Sequence, residues 1–171
     1  MKTKNVQLGK YLFLSVLIFP FLLLSCEEES IDLRDQMLGI YDYELKAYID
    51  TGDDLLYIGD QEGHYDVTGT CRIKKNPEYN DMIDFWDGSE ILFQGQNLRE
   101  NDNSITFDIP LQEFWAGPVP VTVRGWDYWN VNDIPYHAAF IYRDKSVEIG
   151  FAAEVMDVQS DLVLIFIAYR Q

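Results

Sequence analysis

From Tyr41 onward the chain alternates. Tyr41, Tyr43, Leu45, Ala47 and Ile49 hold the odd positions, and Asp42, Glu44, Lys46 and Tyr48 the even ones. A period of two sends successive side chains to opposite faces of a strand, one apolar and one polar. The rhythm returns at Tyr65, Val67, Gly69, Cys71 and Ile73, set against Asp66, Thr68, Thr70, Arg72 and Lys74. Further strands are expected over Met82–Trp86, Glu90–Gly95, Ser104–Ile109, Val119–Trp126, Tyr136–Tyr142, Ser146–Val155 and Leu162–Arg170. Short polar turns rich in Asn, Asp, Gly and Ser separate them, as at Trp86–Ser89, Leu98–Asn103 and Arg143–Lys145. Only Ser30–Leu38 reads as helical, a single turn that Ser30 or Asp32 caps and Gly39 ends. This pattern predicts an all-β fold, an antiparallel up-and-down β-barrel of about eight strands, with a β-sandwich as the alternative. Asp50–Asp54 is turn chemistry. Leu55–Ile58 is a short strand or part of a long loop. Leu162–Tyr169 is apolar on both parities, so both of its faces are expected to be covered, the outer one by the N-terminal turn or another subunit.

The front of the chain has a different grammar. Lys2, Lys4 and Lys10 precede an uncharged stretch from Tyr11 to Leu24. That is the layout of a secretory signal, and its apolar core is shorter than the roughly 20 residues of a membrane span. Leu23-Leu24-Ser25-Cys26 resembles the bacterial lipobox, in which the cysteine thiol receives a diacylglyceryl group and cleavage leaves that cysteine as the new N-terminus. Glu27, Glu28 and Glu29 resemble the surface-export signal of Bacteroidetes lipoproteins; a plain acidic tether is the other reading. The resemblance implies a lipoprotein signal peptide over 1–25, a lipidated acidic tether and helical turn over 26–38, and a barrel domain over 39–171. It also implies an outer-membrane lipoprotein held by the lipid on Cys26 and exposed at the cell surface, with a periplasm-facing orientation as the alternative.

Charge narrows the partners. All 29 acidic residues lie beyond residue 25, while three of the 13 Lys and Arg precede it, so the part from Cys26 onward carries −19. Nucleic acid is excluded as a partner, because its phosphates need a basic stripe. With Cys26 lipidated, Cys71 is the one remaining cysteine and no intramolecular disulfide forms. The fold must then rest on its core, which the 10 Tyr, 7 Phe and 4 Trp beyond residue 25 make feasible.

No catalytic motif stands out, and no enzyme is expected. There is no nucleophile elbow. His64 and His137, the two histidines, show no zinc spacing. Cys71 takes the apolar parity of its strand and reads as structural. Asp84, Asp87, Glu90, Asp108 and Asp127 offer too many carboxylate pairs to single one out for glycosidic chemistry. Asp50, Asp53, Asp54 and Asp60, like Asn101–Asn103, either bind calcium or simply make turns. No cofactor is implied. The densest feature is Trp126-Asp127-Tyr128-Trp129-Asn130. Strand alternation sends Trp126 and Tyr128 to one face and Trp129 to the other, so at least one ring lies at the barrel mouth or outside. The cluster is either a plug closing the barrel end or a platform on which a ligand such as a sugar stacks.

Gly39-Ile40-Tyr41 opens the first strand after a helical turn, and Arg170 ends the last. This resembles the calycin layout of lipocalins and fatty-acid-binding proteins, where an arginine from the last strand stacks on a Gly-x-Trp tryptophan at the base of the barrel; Tyr41 stands where that Trp is usual. The resemblance implies a lipocalin-like barrel with room for one small ligand, with Gly39, Tyr41 and Arg170 as its structural signature. The leading functional expectation is a small apolar or amphiphilic ligand bounded by Tyr43, Leu45, Tyr65, Phe107, Phe140 and Phe151, with Trp126 and Trp129 nearby. The alternative is a non-enzymatic interaction module whose filled barrel binds a protein or glycan through the Trp126–Trp129 patch.

Overall fold

The computed structural model describes residues 31–59, 66–116, 119–155 and 158–171. Residues 1–30, Cys26 and Glu27–Glu29 among them, lie outside the described residues, as do Asp60, His64 and Tyr65. The elements are a helical turn α1 (Arg34–Met37) and the strands β1 (Gly39–Asp50), β2 (Leu55–Tyr57), β3 (Val67–Lys75), β4 (Met82–Asp87), β5 (Glu90–Asn101), β6 (Ser104–Asp108), β7 (Gln112–Ala116), β8 (Val119–Gly125), β9 (Trp129–Val131), β10 (Ile134–Tyr136), β11 (Ala138–Ile141), β12 (Ser146–Val155) and β13 (Val158–Arg170).

The expected barrel forms, rather than a sandwich. The wall runs β11-β6-β5-β4-β3-β1-β13-β12, and pairing of β12 back to β11 closes a ring of eight antiparallel strands. Alternation does the sorting: Tyr41, Leu45 and Ala47 on β1 and Leu164, Phe166 and Ala168 on β13 are buried inside, while Asp42 and Lys46 face out. Two wall positions are each shared by two short strands. β12 pairs with β11 through Ser146–Ile149 and with β8 through Phe151–Glu154. Likewise β6 pairs with β11, and β7 with β8. The polypeptide bends between β6 and β7 at Ile109–Leu111, where Pro110 has no N–H to give a ladder. The Gln112 side chain fills the seam to β5: its Nε2 donates to the Gln94 carbonyl at 3.0 Å and its Oε1 accepts from the Gln94 N–H at 2.8 Å, copying a ladder pair.

At one end α1 caps the ring. The Tyr41 ring is fully buried and its hydroxyl donates to the Met37 carbonyl at 2.7 Å. Arg170 is the cross-strand partner of Tyr41. The stacked cation–π contact expected between them does not form: Arg170 turns under Gly39 and donates to the Gln36 and Leu38 carbonyls. The reason is the space at Gly39, where a Cβ would stand 2.7 Å from the Arg170 Nε. A guanidinium finds open helix-end carbonyls there, and these are better acceptors than a ring face.

Asp32 ties α1 to the wall. Its carboxylate accepts from Arg34 Nε at 2.9 Å and Arg34 Nη2 at 2.7 Å, and meets Lys75 Nζ on β3 at 2.8 Å. Arg34 is 8% exposed and also donates to the Tyr79 carbonyl. The hydrogen bonds from Arg34 hold the Asp32 carboxyl well below the ordinary carboxylate range. A depressed folded-state pKa adds stability that is present above the unfolded value, roughly pH 4, and is lost as pH falls below it. Asp32→Asn is therefore expected to lower unfolding free energy by about 2 kcal/mol at pH 6. Urea titrations of both proteins should show that gap narrowing toward pH 3; a gap independent of pH would contradict the assignment.

Candidate functional site

The interior is a cluster of rings. Phe93 sits among Phe85 at 4.3 Å between centroids, Phe151 at 5.1 Å, Phe166 at 5.2 Å and Phe114 at 5.8 Å. Phe107 lies 6.3 Å from Phe85 in stacked orientation. Among the residues expected to bound a ligand, Leu45, Phe107, Phe140 and Phe151 are all buried members of this one core. Phe140 meets Tyr142 edge-on. Tyr43 differs: it is half-buried, stacks on Phe166 at 5.0 Å, and burial raises its hydroxyl pKa.

The aromatic run lies outside this core. β8 ends at Gly125, and the chain then leaves the wall and returns as the β9–β10 hairpin. Asn132 and Asp133 turn that hairpin with φ of 53° and 63°, the left-handed pair that two-residue hairpins favour. The Trp126 N–H donates to the Gly150 carbonyl at 2.9 Å, and the Tyr128 N–H to the Tyr136 carbonyl. Gly150 faces outward between inward Ile149 and Phe151; a Cβ there would stand 2.6 Å from the Tyr128 Cβ and 3.1 Å from the Trp126 ring. Glycine thus lets the ledge lie flat on β12. The cross-strand partner of Gly150 is Ile165, 5% exposed on the outer face of β13. Its neighbour Val163 pairs with Tyr48, whose ring meets Tyr57 of β2. The two-sided apolarity of β13 is accounted for by this ledge and by β2, and not by the N-terminal turn.

Trp126 and Trp129 are both half-buried, with Tyr128 between them at 6.1 and 6.2 Å. The Trp129 indole N–H has no acceptor among the described residues. Polar groups edge the rings. His137 accepts from the Ile109 N–H at Nδ1, so its neutral form carries the proton on Nε2, which faces Asp127 at 3.7 Å. Glu148, on the outer face of β12, has its carboxyl pKa raised by burial and then by Asp144. Burial and the Glu148 charge in turn raise the Tyr128 hydroxyl pKa. Rings flanked by a carboxylate, an imidazole N–H and exposed Asn130 make an amphipathic ledge on the outer wall.

The other candidates separate. Asp84 is buried and accepts from Asn76 at 2.9 Å and Gln94 at 2.7 Å, while Asp108 accepts from Arg99 and Asn97. Asp127 stands with His137, while Asp87 and Glu90 are cross-strand partners where β4 turns into β5, so of the five candidates only that pair is adjacent in register. Cys71 is buried, and desolvation pushes its thiol up to about 12. Asp50 accepts from the Gly52 N–H and Thr51 Oγ1 donates to the Asp54 carbonyl, so that loop is wired as a turn. No cluster of three metal-ligating side chains occurs among the described residues. Sequence periodicity overlooked the outward role of Gly150 and the hairpin; Asn132–Asp133 between Val131 and Ile134 is the signal that marks the latter. Comparison of the chain with protein-family models, with curated proteins and with solved structures finds no match.

Proposed function

We propose that this protein is a non-catalytic binding module: a surface lipoprotein whose lipocalin-like barrel is a filled scaffold and whose ligand, a neutral glycan, is held on the Trp126–Trp129 ledge. One observation carries the reading. The interior positions that would line a ligand cavity are spent on one another around Phe93, whereas the ledge keeps three partly exposed rings beside polar edges. Sugars are held in this way, by an apolar ring face under the pyranose and hydrogen-bonding groups at its rim. The lipid on Cys26 provides the tether, since acyl chains contribute about 0.8 kcal/mol per buried methylene.

Glycan-array binding by the full chain, followed by calorimetry on the best oligosaccharide, tests the ledge. Trp126→Ala is expected to weaken binding at least tenfold with the melting temperature little changed. Equal affinity in the variant, or a ligand displaced only by changes at Tyr43, would move the site into the barrel. The tether has its own readout. Cys26→Ser is expected to end metabolic labelling with palmitate, and persistent labelling would reject it.

A further inference from the structure

A second surface stands apart from the ledge, on the outer face of β1, β3 and β4. Register places Ile40, Arg72 and Trp86 in one row across the three strands, because Arg72 pairs with Ile40 on one side and Trp86 on the other. Exposed Ile91 of β5 extends the row as the partner of Trp86. Lys74, two residues along β3, sets its Nζ 4.1 Å from the Trp86 ring centroid. The pairing of β4 with β3 ends at Trp86–Arg72, so β3 beyond Arg72 is paired only to β1, and a groove of about 240 Å³ opens there, lined by Ile40, Thr70, Arg72, Lys74, Trp86 and Gly88.

Three features of this groove bear on a ligand, with Lys74 already seated over the Trp86 ring. Arg72 and Lys74 form no ion pair among the described residues, although ten cations share the mature chain with 29 carboxylates. The Trp86 indole N–H has no acceptor among the described residues. Ile40 is 37% exposed beside them. Two carboxylates, Asp87 and Asp42, act on Cys71 of the groove lining, and Asp42 already accepts from Thr70 Oγ1 and Gln171 Nε2. Two unpaired cations above an apolar floor complement an anion carried by a flat body. The volume falls below the roughly 300–1,000 Å³ of sites for drug-sized ligands, so it suits a single ring. Arg presents a fork that matches a carboxylate, and Lys a point charge. We propose that this groove binds a small ring-bearing carboxylate, the acid group between Arg72 and Lys74 and the ring against Ile40 and Trp86. This site is independent of the ledge.

Nitrogen-15 NMR of the full chain in neutral detergent reads it directly, since the four indole N–H signals are few and Trp86→Phe identifies the one that matters. Benzoate is the probe, benzamide its neutral counterpart and acetate the charge without the ring. Benzoate is expected to shift the Trp86 signal saturably, with affinity at least tenfold above that for benzamide or acetate, and to weaken as salt screens the cations. Arg72→Gln with Lys74→Gln should weaken benzoate at least tenfold while leaving the other indole signals in place; both side chains lie on the outer face, so the fold is unaffected. Trp126→Ala should change nothing here. Equal binding of benzamide, equal binding by the double variant, or no saturable shift would overturn the proposal without touching the ledge.

Discussion

Phe93→Ala is expected to lower the unfolding free energy by about 4 kcal/mol, near the top of the range for a phenylalanine truncation. The position explains the size. Phe93 is 1% exposed and meets four rings contributed by β4, β7, β12 and β13. Those rings cannot slide into the gap, because three are held by strands of the closed ring and Phe114 by the pairing of β7 with β8. A site that cannot collapse keeps its cavity, and the cavity adds to the lost transfer energy. Ile91→Ala, two residues away with a 43% exposed side chain, should change stability by about 0.5 kcal/mol or less. Urea denaturation of both variants gives the comparison, with the slope unchanged if the barrel stays intact. A Phe93→Ala loss under about 1 kcal/mol would mean that the interior is loosely occupied, and the case for a filled scaffold would go with it.

Much of this barrel was legible because a barrel obeys one rule. Tyr41–Ile49 and Val67–Ile73 alternate without interruption, and each lies on the predicted face. The rule gives out where a strand stops early. Alternation carried through Gly125 splits Trp126 and Tyr128 from Trp129, but the strand ends at Gly125 and the chain folds over β12 instead. That departure depends on Gly150, which is distant in sequence and leaves no local trace. The bend at Pro110 is visible in the sequence; that Gln112 would then bridge to Gln94 is not, because it requires the spacing of two strands that meet only after closure. The way the interior rings meet was hidden for a similar reason. The seven phenylalanines beyond residue 25 can line a cavity or pack on one another, and ring angles such as the 83° between Phe93 and Phe166 decide how they meet.

Tyr41 tests the closed end through two separable terms. Its ring is fully buried between β3 and β13, and its hydroxyl donates to the Met37 carbonyl at the end of α1. Burial pushes the hydroxyl up to about 12, so it remains a donor at any pH the protein tolerates. Tyr41→Phe keeps the ring and leaves a helix-end carbonyl without its donor, which is expected to cost about 1–2 kcal/mol. Tyr41→Ala removes the ring as well, and about 4 kcal/mol is expected. The order matters more than either value. Hydrogen exchange should show α1 opening locally in Tyr41→Phe, since the lost bond joins α1 to the wall, while Tyr41→Ala should raise exchange throughout β1, β3 and β13. Arg170→Ala should resemble Tyr41→Phe, because Arg170 bonds carbonyls of the same turn without filling the core. If Tyr41→Ala proved no worse than Tyr41→Phe, the ring would contribute little to the barrel, and closure would rest on the polar cap of α1 alone.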